Sequence, residues 1–246
     1  MKKRTNTTWM WLTVCMGCSG ALEPSDTALQ ELSVDETGLS EDTALDTGPS
    51  GDTADSGTGD TACEPMVYEL NPFASEVVSF EQGSGAGFGQ EGLPDVVLGP
   101  PEGGGGASGS EDVLTLGDEG SIVLSFEQAL VDGEGPDLLV FENPFPGWLE
   151  TGWVAVSEDG ETWHEWDCEA EDVEGVHVGC AGVSPVLANS DNCIDATDPD
   201  VAGGDGFDLA ELGLERALYV RIRDSGLNAS GGFDLDAVAV VHGEPL

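Results

Sequence analysis

Positive charge is what this sequence most lacks. Its 246 residues hold six Lys and Arg against 49 Asp and Glu, a formal net charge of −43. Lys2, Lys3 and Arg4 stand at the extreme N-terminus, so everything after them carries only Arg216, Arg221 and Arg223. Such a field repels phosphate backbones and anionic lipid head groups, which argues against nucleic acid and leaves divalent cations as natural partners. No apolar run is long enough to span a bilayer as a permanent helix. Catalytic motifs are scarce as well. The three histidines, His164, His177 and His242, are scattered, with no serine elbow and no H-E-x-x-H. Paired carboxylates suited to glycoside hydrolysis carry little information where 49 acids make a chance pair nearly certain.

What the first eighteen residues do contain is a basic head, an apolar body from Trp9 to Gly17, and Cys18 directly after a small residue. This resembles a bacterial lipoprotein signal with the lipid on Cys18, departing from the usual pattern at Cys15, where Leu is common. A plain cleavable signal is the alternative, and either one exports the protein. Export removes three of the six basic residues and none of the acids. Residues 19–62 have no aromatic and no basic residue and repeat Asp-Thr-Ala at 26–28, 42–44, 52–54 and 60–62. The repeat lacks the fixed spacing and glycine turn that a wrapped calcium ion needs, and reads as a disordered, self-repelling acidic tether. The expected location is secreted, as an outer-membrane or cell-surface lipoprotein touching the membrane through its N-terminal lipid alone.

From residue 63 to 246 Trp, Phe and β-branched residues return in short runs of period two, separated by Gly, Pro, Asp and Asn. Ile122, Leu124 and Phe126 share one face. Residues 137–142 are almost continuously apolar, as in a buried central strand. Residues 153–157 lead through Asp159-Gly160 toward Trp163, the mark of a tight hairpin with Trp163 in the core. Residues 218–223 and 233–241 alternate again, weaker strands are expected at 77–80, 95–98 and 112–116, and 208–212 offers one helical turn. Eight or so strands without a crossover helix specify an antiparallel β-sandwich of jelly-roll type. Four cysteines follow Cys18, with no C-x-x-C among them, so an exported chain favours two disulfides over zinc. Three connectivities exist; the preferred one joins Cys168 to Cys180 and Cys63 to Cys193.

Residues 154–163, Val-Ala-Val-Ser-Glu-Asp-Gly-Glu-Thr-Trp, followed by 217–224, Ala-Leu-Tyr-Val-Arg-Ile-Arg-Asp, resemble the framework of discoidin-like, galactose-binding-like domains, with Leu218 where Arg is common. Segments 94–99, 131–143, 202–209 and 232–238 are similar, in order and wording, to a family of bacterial cell-surface lipoproteins of poorly defined role. The resemblance implies a jelly-roll sandwich, often with a structural calcium and a ligand site on loops at one end. It transfers architecture and not activity.

Acids embedded in apolar strands are the sharpest chemical signal. Alternation places Asp234 and Asp236 on one face of the last strand with Val238 and Val240, and a bare buried carboxylate costs several kcal/mol. With so few cations to pair them, a structural calcium ion is the expected cofactor, hard oxygen ligands suiting it better than zinc or copper. Its candidate ligands are Asp137, Glu142, Asn143, Asp205, Asp208, Asp234 and Asp236, with Asp195, Asp198 and Asp200 next; the competing reading is that these residues cap turns through backbone N–H groups. Tyr219, Arg221 and Arg223 share a strand face, and Trp148 stands in a Pro/Gly-rich loop. Together they are the expected ligand-binding residues, the aromatics for stacking and the guanidinium groups for orientation. The functional expectation is a non-catalytic, calcium-stabilised surface module that binds a glycan or a protein. A structural envelope protein without a small-molecule site and an extracellular polymer hydrolase are the alternatives.

Overall fold

The computed structural model describes residues 66–103, 109–143, 149–171, 175–227 and 232–246. The expected signal, tether, Cys18, Cys63 and Trp148 lie outside them. Ten strands are present among the described residues: β1 Glu76–Glu81, β2 Leu114–Thr115, β3 Ser121–Val131, β4 Leu138–Glu142, β5 Gly152–Ser157, β6 His164–Glu165, β7 Asp205–Phe207, β8 Arg216–Asp224, β9 Asp234–Val240 and β10 Gly243–Pro245. One short helix, α1, spans Leu209–Leu212. The strands form two antiparallel sheets. One runs β1-β3-β8-β5-β6, with β10 also pairing β3, and the other runs β2-β9-β4-β7.

The period-two runs fold as their pattern dictates, because alternate side chains of a strand point to opposite faces. Ile122, Leu124 and Phe126 of β3 are buried while their neighbours are partly exposed. In register across the first sheet, Val154 and Ile122 flank Ile222, and Val156 and Leu124 flank Val220. These rows meet Leu138 and Val140 of β4 and Leu235, Val238 and Val240 of β9, which come from the second sheet, in one continuous core. The chain is therefore an antiparallel β-sandwich.

Strand β4 is buried at all five positions, as its continuous apolar run foretells. Leu138 and Val140 enter the core between the sheets. Leu139 and Phe141 point the other way, into a second apolar cluster with Phe73, Val186, Ala188, Ala196 and Ala202. The segment bearing those alanines covers the outer face of the second sheet. Its turns are closed by short polar side chains: Asp195 accepts from the N–H of Thr197, Asp198 from that of Asp200, and Asn189 from that of Asp191. Turn capping accounts for what Asp195 and Asp198 do here.

Three local expectations are corrected. Residues Asp95–Val97 form a 3-10 turn and not a strand, since Pro94 supplies a turn-forming residue that the apolar pattern conceals. The Asp159-Gly160 pair belongs to a six-residue loop, not a two-residue hairpin: Asp159 accepts from the N–H groups of Glu161 and Thr162, and this extends the turn before β6. In β9 the strict alternation fails at a bulge opposite Phe141 and Glu142. Leu235, not Asp236, joins Val238 and Val240 in the main core, because an added bulge residue inverts the facing of what precedes it.

Cys168 and Cys180 form a disulfide with a Cα–Cα distance of 4.6 Å. Cys193 is also disulfide-bonded. The Cys168–Cys180 bridge closes a loop of 12 residues, which in the chain-entropy model stabilises by about 3 kcal/mol. Replacing both cysteines by Ser is expected to lower the unfolding free energy by about that amount, measured by urea denaturation of the otherwise oxidised protein.

Candidate functional site

The acids singled out in the sequence separate into four places. At the start of β4, Asp137 is wholly buried. Its Oδ1 accepts from the N–H of Gly133 and lies 2.8 Å from Nδ1 of His242, and its Oδ2 accepts from the N–H of Leu209. Asp132 and Asp208 bring oxygens to within 4.8 Å of it, a trio with the composition of a metal site. Yet Asp208 uses one oxygen to cap α1 through the N–H of Ala210, and the buried member of the trio already has three partners.

Asp205 stands apart. Its carboxylate accepts from three successive backbone N–H groups, those of Gly182, Val183 and Ser184, at 2.7–3.0 Å. Burial raises its pKa and these donors oppose the rise. A third buried acid went unnoticed in the sequence: Asp224, the last residue of β8, accepts from the N–H groups of Glu119, Gly226 and Phe233. The Asp-Ser-Gly turn that follows it was the available signal, since an acid before such a turn is a natural cap.

The last two places differ. Glu142, at the end of β4, is 1% exposed. Burial pushes its carboxyl well above the usual range; the charges of Asp234 and Glu150 push further, while the N–H groups of Asn143 and Asp234 oppose. Its Oε2 has no hydrogen-bond partner. Asp234, the first residue of β9, accepts from the Thr115 hydroxyl, and burial raises its pKa too. Asn143 is engaged with a neighbouring segment, accepting from the N–H of Ser110 and donating to its carbonyl. The charges of Asp234 and Glu150 thus act on Glu142, although among the described residues it is Asp132, Asp137 and Asp208 that bring three ligand oxygens within 4.8 Å of one another. Asp236 lies on another path: its Oδ1 accepts from the N–H of Glu102 at 2.9 Å, and its Oδ2 is unpartnered. Burial, helped by the charges of Glu102 and Asp112, pushes its pKa up to about 7.

Tyr219, Arg221 and Arg223 do share a face, the outer one of the first sheet. Arg223 is directly opposite Trp153 in the register, and its guanidinium lies 4.1 Å from that ring. Arg221 lies 4.6 Å from the ring of Trp163. Trp163 is consequently only partly buried, a correction to its expected place in the core: the long turn carries it across the sheet surface. Both guanidinium groups also reach Glu165 of β6, at 3.6 and 3.2 Å. Between β1, β3, β8 and the β5–β6 turn runs an open groove of about 400 Å³, lined by Ser79, Glu81, Asp159, Trp163, Tyr219 and Arg221 among others. Gly160, with φ +75°, lets the turn lie on Tyr219, and a Cβ there would stand 3.5 Å from the ring. The N–H groups of Thr162 and Glu161 hold Asp159 at about 2, so the groove has a permanent acceptor beside the Arg221 donor. A second cavity, about 290 Å³ and mostly apolar, is lined by Met66, Tyr68, Phe73, Ile194 and Ala196 and continues the outer apolar cluster.

The raised acids set a pH dependence. A carboxyl whose folded pKa exceeds its unfolded value keeps its proton in the folded state while the unfolded chain has lost it. Its stabilisation is complete below the ordinary carboxylate range and disappears as pH rises through the folded value. With divalent ions chelated, unfolding free energy is therefore expected to fall between about pH 4 and pH 7, the latter being the value for Asp236. Asp236→Asn should remove roughly 2–4 kcal/mol of that decline, read from urea midpoints across the range.

Comparison of the chain with protein-family models, with curated proteins and with solved structures finds no match, so the groove and the buried carboxylates carry the functional reading by themselves.

Proposed function

We propose that this chain is an exported, lipid-anchored β-sandwich that binds a glycan, without catalysis, in the groove on the outer face of its first sheet. The observation that carries the reading is the convergence of Trp163, Tyr219, Arg221 and Asp159 on one open concavity. Aromatic faces stack on the apolar faces of sugar rings, while a fixed donor and a fixed acceptor orient the hydroxyl groups. The groove lies on a sheet face and is walled by strands, a rigid support that costs little ordering on binding. Arg221 and Trp163 hold each other in place, and Glu165 restrains the guanidinium from the far side. That is preorganisation of a binding surface.

The overall charge selects among ligands. Three arginines against 49 acids, once the basic head is removed, disfavour a polyanionic glycan. A neutral one fits. The basic head, short apolar body and Gly17-Cys18 junction support export with a lipid on Cys18, and the acidic tether supports display away from the membrane.

Two measurements test this. A glycan array probed with the exported chain should give a restricted set of neutral sugars, and Trp163→Ala or Tyr219→Ala should weaken binding at least roughly tenfold with an unchanged circular dichroism spectrum, as expected for loss of a stacking contact worth about 1.4 kcal/mol. Binding that is indifferent to both substitutions removes the groove from the account. Cys18→Ala should abolish incorporation of a labelled fatty acid during growth; labelling that persists refutes the anchor.

A further inference from the structure

We propose that the groove continues across β8 into a second subsite at Trp153, so that this face takes an extended neutral polysaccharide chain and not a single sugar. The inference rests on the reading of the groove as a glycan site and names the form of its ligand. The strand register places two concavities side by side. Ser121 of β3, Arg223 of β8 and Trp153 of β5 lie in one row across the first sheet. Ser121 lines the groove, and Trp153 lines a second open concavity of about 600 Å³. Neighbouring strands stand about 4.8 Å apart, so about 10 Å separates Ser121 from Trp153, with Arg223 between them.

The outward positions of β5 are Trp153, Ala155 and Ser157, opposite Arg223, Arg221 and Tyr219. Two of them are small and buried, and the third is a partly exposed indole. The Arg223 guanidinium, 4.1 Å from the ring centroid, fixes that indole in place. Glu165 takes Arg223 with both oxygens, at 3.2 and 3.3 Å, and reaches Arg221 at 3.6 Å. Arg221 in turn lies over Trp163. One carboxylate thus holds two guanidinium–indole pairs, one at each concavity. Glu165 is opposite Ala155 in an antiparallel pair, so Trp153 and Trp163 fall to either side of it, about 13 Å apart along the sheet. Two flat platforms at that spacing, with a strip of donors between them, match a chain of rings and exceed the reach of one.

The walls of the second concavity are held in advance. Cys168 lines it and is bridged to Cys180, and the N–H of Glu169 donates to the carbonyl of Val178. Ser225, also in the lining, is joined to Thr151 through their hydroxyl groups and through its own N–H to the Thr151 carbonyl. A subsite already ordered costs little to fill. Its chemistry selects the ligand. Glu169 and Glu171 supply acceptors, Arg223 supplies donors beside them, and Trp153 with the exposed Leu227 supplies apolar surface. Rings bearing hydroxyl groups satisfy all three, whereas an anionic chain would meet two carboxylates.

The test is titration calorimetry of the exported chain with disaccharides and hexasaccharides cut from cellulose, chitin, mannan, galactan and amylose. In a series that binds, wild type should hold the hexasaccharide at least about tenfold more tightly than the disaccharide. Trp153→Ala should erase that advantage, weakening the hexasaccharide about tenfold and leaving the disaccharide within about twofold of wild type. Leu227→Asp, a change at an exposed side chain outside the strands, should act in the same sense. Trp163→Ala should weaken both lengths. If Trp163→Ala weakens binding while Trp153→Ala and Leu227→Asp leave the hexasaccharide untouched, the second subsite is overturned and the groove stands. Equal loss of both lengths in Trp153→Ala overturns it as well, because the indole then acts on the groove itself. Should no series bind to wild type, the glycan reading falls and this inference falls with it.

Discussion

The bond on which this fold depends most is that between a buried carboxylate and backbone N–H groups. Asp137, Asp205 and Asp224 are each buried at the end of a strand, and each gathers amides from segments distant in sequence. Asp137 joins the turn at Gly133 to the start of α1 and to His242. Asp205 seats residues 182–184 against β7, and Asp224 holds the turn at Glu119 to the residue before β9. Charge-assisted bonds of this kind are stronger than neutral ones, and losing one partner leaves the other desolvated and unmet. The three aspartates therefore do for the loops what the apolar rows do for the sheets.

This arrangement answers the scarcity of lysine and arginine. A sandwich with many acids must neutralise the ones it buries, and partial positive charge on peptide nitrogen is available at every turn. Glycine-rich turns suit the task because several N–H groups can converge on one carboxylate, as at residues 182–184, where Gly182 has φ +84° and a Cβ would stand 2.0 Å from the carbonyl of Glu150. Where backbone N–H groups reach only one oxygen of the acid, as at Glu142 and Asp236, the other oxygen is left without a partner. The contrast between these two kinds of buried acid organises the chemistry of the molecule.

Much of the sandwich was legible because period-two patterning is a direct image of a two-faced strand. The central place of β4 followed from its unbroken apolar run, the Cys168–Cys180 bridge from an even set of cysteines with no C-x-x-C pair after Cys18, and the common face of Tyr219, Arg221 and Arg223 from simple alternation. Failures of that reading have particular causes. The β9 bulge is a backbone event that no side-chain pattern announces. Trp163 looked like core because a tryptophan after a turn usually is, and only the six-residue loop and the guanidinium of Arg221 place it on the surface. The alanine-rich cover on the second sheet has too little hydrophobic periodicity to be seen in advance. The acids were recognised as candidates but not as separate places, since which N–H groups converge on a carboxylate is decided by tertiary turns.

All three arginines of the folded region fall on one strand, β8. The net negative charge of the chain is felt through only about 8 Å of physiological saline, so at close range an approaching body senses local texture and not the total. Strand β8 runs through the interior of its sheet, with β3 on one side and β5 on the other, and it bears a stripe of guanidinium groups framed by carboxylates. The molecule thus has an electrical front. Whatever comes within that distance of the strand meets guanidinium groups already matched by Glu158, Glu165 and Glu244, and not the charge of the chain as a whole.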